Sequence, residues 1–264
     1  MEMMRNTPCL TSFVVVDVET TGLDPNVEHI IELAALRFSD DAIVNSYSTY
    51  VGTERNIPPE VSAVHGITRG DVEFAPSWSD VKRRLVSFMR PGELIVAHHA
   101  EFDRAFLPCL NSHTWACTER FARHLWPGAP AYKNQVLRHY LGLTPKDRRA
   151  ANLAHRAFDD ARITGLLFDR EVREYSDRNG ATTVEAIVDF IASPLAVEVF
   201  RYGRKWYGSR IDEIPVDYLA WVLADSRRPV DERFMAVDLD TLASIAVSLD
   251  ARSRDASRYK VRVA

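Results

Sequence analysis

Two acids close a run of valines in Phe13-Val-Val-Val-Asp-Val-Glu19. Side chains alternate along a strand, so Val14, Val16 and Val18 take one face and Phe13, Val15, Asp17 and Glu19 the other. The two carboxylates then point the same way, roughly 6–7 Å apart along the backbone. Uncompensated charges where a strand leaves the core are costly. A divalent cation removes that cost, and hard oxygen donors suit Mg²⁺ or Mn²⁺. Two further acids lie in helical contexts. Asp103 stands in "AHHAEFDRAFL", where Phe102 and Phe106 face the core and leave the acid to point elsewhere. Asp160 stands in "AHRAFDDARITGLLF", five residues after His155 and on the first turns of a helix whose apolar positions are Ala157, Ala161, Thr164 and Phe168.

The elements that must position these residues follow from periodicity and turn signals. Ile30–Phe38 and Ala42–Val51 read as a second and third strand joined at Ser39-Asp40-Asp41. Residues 52–76, with Pro58, Pro59, Gly66, Gly70 and Pro76, read as a loop. Ser77 with Asp80 three residues on is a capping-box pattern, followed by Trp78, Val81, Leu85 and Phe88 at helical spacing. A fourth strand centres on Leu94–Ala97, a fifth on "TWACT", and helices cover 118–125, 133–141 and 157–175. This is an α/β pattern: a three-strand meander, then strands alternating with helices in a mixed five-stranded sheet. A small C-terminal α+β unit begins at the Asn179-Gly180 turn signal, giving expected domains of 1–178 and 179–264. It holds a short helix over Thr183–Ala192, a hairpin over 196–211 and mostly helix over 215–250.

At 264 residues and 46% hydrophobic composition the chain can bury a substantial core. A net charge of −4 supplies no global positive field, so any hold on nucleic acid must be local. Three cysteines, Cys9, Cys109 and Cys117, form no CxxC and read as reduced thiols. No secretory pattern and no 18-residue apolar run is present, so a cytoplasmic protein with no membrane partner is expected.

In "VDVETTGLD", "AHHAEFDRAFL" and "HRAFDDA" the ordered acids and histidine resemble the three motifs of the DEDDh 3′–5′ exonucleases, over about residues 12–172. "PPEVSAVHGIT" resembles the loop that follows their third strand. His99 stands where that family usually has Asn. The C-terminal "VFRYGRKWYGSRIDEIPVDYLAWVL" resembles the C-terminal region of the exodeoxyribonuclease X group, through Phe200, Gly203, Arg204, Gly208, Tyr218, Leu219 and Trp221. Arg201 and Tyr202 lengthen its pattern.

The resemblance implies a ribonuclease H-like fold and hydrolysis of phosphodiester bonds at DNA 3′ ends to nucleoside 5′-monophosphates. It implies two Mg²⁺ or Mn²⁺ ions, with Asp17 bridging both, Glu19 and Asp160 on the first and Asp103 on the second. His155 becomes the general base, a role that an imidazole pKa near ~6.5 suits. Position 156 is Arg rather than Tyr, which assigns the histidine branch. Thr20, Thr21 and Gly22 would let the backbone approach a terminal nucleotide, with Gly22 allowing a tight turn. Leu23 would wedge under its base and His65 would line the pocket.

Six Lys/Arg against one acid in 133–156, Arg148 and Arg149 among them, would guide phosphates to His155. Arg204, Lys205 and Trp206 mix charge with an aromatic ring as single-strand binders do. The expected substrate is DNA with a 3′ end, single-stranded or frayed. RNA as substrate and a polymerase-associated proofreading role are the alternatives. Neither the protein partner nor the role of the C-terminal unit is legible.

Overall fold

The computed structural model describes residues 12–39, 41–143, 156–180, 183–229 and 235–260. The chain divides into two compact units, Met1–Ile191 and Ala192–Ala264.

The first unit is built on a five-stranded sheet of order β3-β2-β1-β4-β5. Its strands are β1 (Ser12–Thr20), β2 (Ile30–Ser39), β3 (Ala42–Tyr50), β4 (Ile95–Ala97) and β5 (Trp115–Cys117). The first three form the antiparallel meander; β4 joins β1 in parallel and β5 joins β4 in parallel. The expected alternation of β1 holds. Val14, Val16 and Val18 pack with Val81 and Leu85 of a helix at Trp78–Phe88, whereas Phe13 and Val15 pack with Ala161, Phe168 and Val172 of the long helix Ala157–Asn179. Asp17 and Glu19 therefore emerge on the side of that long helix.

The loop expected over 52–76 contains two short helices, α1 (Pro59–His65) and α2 (Arg69–Val72). Pro58 and Pro59, two of the residues that suggested a loop, start a helix here, because Pro59 at the first helical position gives up only an N–H that has no partner anyway. Thr68 and Asp71 then form a reciprocal capping box for α2. Helix α3 is Trp78–Phe88, capped by Ser77 as its sequence predicted. Next come α4 (Ala100–Phe106), α5 (Thr118–Leu125), α6 (Asn134–Tyr140) and α7 (Ala157–Asn179). Helix α7 crosses β2 closely at Gly165, where a Cβ would lie 2.2 Å from Phe38 Cζ.

Helix α8 (Val184–Ala192) sinks Ile187 and Ile191 into the same core as α7. The first unit thus extends past the 178/179 boundary read from the sequence, because an apolar helix face outweighs the turn signal before it.

The second unit has its own core of Phe200, Ile211, Ile214, Leu219, Val222 and Ile245. The hairpin expected over 196–211 is reduced to one bridge, Val199 with Arg210, and a few flanking backbone bonds. Gly203 and Gly208 sit at φ +63° and +85°, which turns the chain before a regular ladder can form. The helix expected over 215–250 is two helices, α9 (Val216–Asp225) and α10 (Leu239–Lys260).

Candidate active site

Strand β1 delivers Asp17 and Glu19 to the end of the sheet, both partly exposed among buried neighbours. Its parallel ladder with β4 registers only Val14 with Ile95 and Val15 with Val96. Beyond that point β4 stops and turns into α4, so the Val18 N–H has no strand partner. It donates instead to Asp103 Oδ1 at 3.1 Å, and Asp103 is only 3% exposed. The turn into α4 runs through His99 in a left-handed conformation, φ 64° and ψ 48°. Asn is among the residues most tolerant of this region and His also visits it, which accounts for both the usual residue and its replacement here. The His99 ring is held by Glu119, Nδ1 to Oε2 at 2.7 Å.

Asp160 arrives from the first turn of α7. Gln135 Nε2 donates to its Oδ1 at 3.1 Å, and Asn134 Nδ2 donates to its backbone carbonyl at 3.3 Å and to Thr164 Oγ1 at 2.7 Å. The start of α7 is pinned to β2 by a buried acid. Glu32 accepts from Arg156, at 2.8 Å to Nη2, and from the Ala157 N–H at 3.1 Å. Glu32 stands directly across β1 from Glu19.

Burial and neighbouring acids raise the proton affinity of this cluster. Burial first, then Asp103, Glu19, Asp160 and Glu32, hold Asp17 well above the usual carboxylate range. Burial, then Asp160, Glu32 and Asp103, push Glu19 up to about 8 against the pull of Arg156. Burial lifts Asp103 to about 8 against the Val18 hydrogen bond. Asp17 and Glu19, disfavoured as anions by burial and by the neighbouring acids, and Asp103, disfavoured by burial, fit divalent cations: the donors are hard oxygens. Glu32 is different, since Arg156 already neutralises it. Among the described residues no three His, Cys, Asp or Glu side chains enclose an ion by themselves.

Around this cluster, Thr20 Oγ1 donates to the Gly22 carbonyl at 2.6 Å. Thr21 Oγ1 donates to Glu28 at 2.5 Å and accepts from the His29 N–H. Gly22 lies in a bend over residues 21–23 without entering the left-handed region. It is small because a Cβ there would meet Glu28 Cγ at 2.9 Å. Leu23 is 84% exposed, an apolar side chain standing free beside the acids' strand. His65 ends α1, is 5% exposed, and accepts the Ile67 N–H on Nδ1 at 3.0 Å. In the second unit Arg204 and Lys205 are exposed, whereas Trp206 packs against that unit's core beside Tyr218. His155, Arg148 and Arg149 lie outside the described residues.

Sequence reading missed Glu32, Arg156 as its counterion, and Gln135. The signal for the pair was present: Glu32 is a charged residue in Ile30-Ile-Glu-Leu-Ala-Ala-Leu, a segment otherwise apolar. Gln135 carried no signal.

The RNase T exonuclease family matches residues 14–168, more than half of the chain, and the chain belongs to that family. It is a 3′–5′ exonuclease of the DEDDh type, a phosphodiester hydrolase on a ribonuclease H-like fold, and the family depends on divalent metal. Among particular relatives, Exodeoxyribonuclease 10 of Escherichia coli K12 is 32% identical over 220 residues, covering 81% of this chain and 93% of that one. The DNA polymerase III subunit epsilon of Treponema pallidum is 33% identical over 179 residues, 64% of this chain and 80% of its own. A solved structure of Exonuclease X in complex with 5′ overhanging duplex DNA superposes with a TM-score of 0.55 at 33% identity, covering 68% of this chain and 99% of that one. Among the described residues no helix is long and apolar enough to cross a membrane.

Proposed function

We propose that this enzyme degrades DNA from 3′ ends, releasing nucleoside 5′-monophosphates, as a free-standing nuclease of the exodeoxyribonuclease X type. The observation that carries this reading is the extent of similarity. The match to Exodeoxyribonuclease 10 covers 81% of the chain, more than the first unit of 191 residues supplies, so it reaches the second unit. The match to the epsilon subunit covers 64% and needs only the first unit.

Asp17, Glu19, Asp103 and Asp160 would hold two Mg²⁺ or Mn²⁺ ions, whose positive charge would offset that developing on the reacting phosphate. The protein's own groups do the rest. His155, just before Arg156, takes the proton from the attacking water. Arg156, anchored on Glu32, fixes the chain at that point. Gln135 holds one oxygen of Asp160 and so helps to orient its carboxylate. Leu23 slips beneath the terminal base, and the Thr20–Gly22 backbone runs along the terminal nucleotide. Arg148 and Arg149 in the first unit, and Arg204, Lys205 and Trp206 in the second, hold the strand. Cytoplasmic location follows from the DNA substrate and the reduced thiols expected of Cys9, Cys109 and Cys117.

The test is to incubate the protein with single-stranded, 3′-overhanging and 3′-recessed DNA and with matched RNA, in Mg²⁺, Mn²⁺ or EDTA. Release of 5′-mononucleotides from DNA 3′ ends in either metal, and none in EDTA, is the expected result. Preferential turnover of RNA, or undiminished turnover in EDTA, overturns the reading.

A further inference from the structure

The opposite face of the sheet carries a second concentration of charge. Strand β3 is a sheet edge, and beside it α3 and the turn after it wall a shallow cavity of about 590 Å³. Arg37, Arg83, Arg84 and Arg90 line it together with Asn45 and Tyr47, and no acidic residue does. In a chain of net charge −4 this is an uneven distribution. The arginines are not equivalent. Arg37 is buried, donates to both oxygens of Glu93 at 2.6 and 3.0 Å, and lies 4.4 Å from the Phe88 ring centre, so it forms a fixed floor. Arg83 is drawn toward Asp80 at 3.3 Å. Arg84 and Arg90 are exposed, and neither guanidinium has an ion pair among the described residues. Tyr47 lines the same cavity, and its hydroxyl is buried with no hydrogen-bond partner among the described residues. Leaving a buried hydroxyl unsatisfied is costly, so an acceptor from outside would be welcomed there.

We propose that this cavity is a phosphate-binding site, distinct from the acid cluster, in which Arg84, Arg90 and the Tyr47 hydroxyl donate to phosphate oxygens. Guanidinium groups match phosphate geometry with paired donors, and a phenol adds a neutral one. The site is remote from the hydrolytic end of the sheet. Arg37, one strand from β1, is level with Val14, three residues before Asp17; Tyr47, two strands from β1, is level with Val16. At strand spacings each lies roughly 10–11 Å from Asp17 in the plane of the sheet, and on its other face. The phosphate is either a backbone phosphodiester of the bound nucleic acid or a free phosphate such as the released mononucleotide. The inference rests on the exonuclease reading only for the source of that phosphate.

The test compares the wild-type chain with Arg84→Glu/Arg90→Glu and with Tyr47→Phe. Binding of inorganic phosphate, of deoxyadenosine 5′-monophosphate and of a long oligonucleotide is measured in EDTA over a salt series; dinucleotide turnover is measured in Mg²⁺. If the site takes backbone phosphates, the double variant binds the long oligonucleotide more weakly. Its log–log salt slope is then shallower by about two, with dinucleotide turnover unchanged. If it takes free phosphate, the double variant loses one equivalent of bound phosphate or mononucleotide and keeps its oligonucleotide slope. Tyr47→Phe moves the same reading by less, and stands in for the double variant should charge reversal disturb the fold. Unchanged binding of all three probes in both variants overturns the proposal. A wild type that binds phosphate at this cavity yet cleaves nothing would sink the exonuclease reading and leave the cavity standing.

Discussion

At the scale of single residues, Asp17 is the point on which the acid cluster turns. Burial and four neighbouring carboxylates oppose its ionisation, and the same position is the proposed bridge between two ions. Two opposite effects follow from Asp17→Asn. Activity in Mg²⁺ should fall by more than ~10²-fold, the scale of losing one strong electrostatic stabiliser. Thermal stability in EDTA should rise, because a repelled charge is gone. The pH dependence has a fixed sign. Glu19 and Asp103 have folded-state values near 8, above the ordinary carboxylate range, so over that interval the native state binds more protons than the unfolded one. Metal-free stability is then full at acid pH and is lost as pH rises from about 4 toward 8. Melting in EDTA across that window should show the decline, Asp17→Asn should flatten it, and added Mg²⁺ should restore more at the alkaline end. His155→Ala should leave DNA binding intact but slow single-turnover cleavage ~10²–10⁴-fold, with the acidic limb of the pH–rate profile altered. An unchanged limb would place the base elsewhere.

At the scale of elements, helix α7 sets the position of the fourth acid. It is fixed at its start by Glu32 and at its crossing of β2 by Gly165 against Phe38. The Gly165→Ala methyl has no room beside a buried ring, so the helix must shift. A loss of about 1–3 kcal/mol is expected in urea unfolding, together with lower activity as Asp160 moves. Phe38→Leu in the same chain should recover part of both, since the ring is what the methyl strikes. This crossing also shows where sequence reading stops. The valines of β1, the capping Ser77 and the helical spacing of α7 are local patterns, and the structure reproduces them. Which side of β1 faces α7, that Gln135 reaches Asp160, and that Gly22 is small because of Glu28 are facts about distant segments. One-dimensional spacing does not carry them. The prolines of 52–76 failed for another reason, because Pro signals a loop and a helix start alike.

At the scale of the whole molecule, the boundary between the two units makes a sharp comparison. Helix α8 contributes Ile187 and Ile191 to the core that supports α7. A chain ending at residue 191 should fold and retain metal-dependent cleavage of short oligonucleotides. A chain ending at 178 should melt lower, having lost those two buried side chains at roughly 2–5 kcal/mol each. Equal melting of the two would mean that α8 is ornamental. If Arg204 and Lys205 hold the strand, the 191-residue chain should also bind long DNA with a flatter salt dependence than the full protein.

The order of the acids along the chain has a consequence for the cell. Asp17, Glu19 and Asp103 leave the ribosome early, but Asp160 and the helix that closes the core behind it come last in the first unit. A nascent or prematurely terminated chain is therefore short of a carboxylate and of the packing that aligns the other three. On the proposed four-acid site, the capacity to cut nucleic acid should arise only once the unit is almost entirely made, and fragments ending before Asp160 should show no nuclease activity when assayed in Mg²⁺.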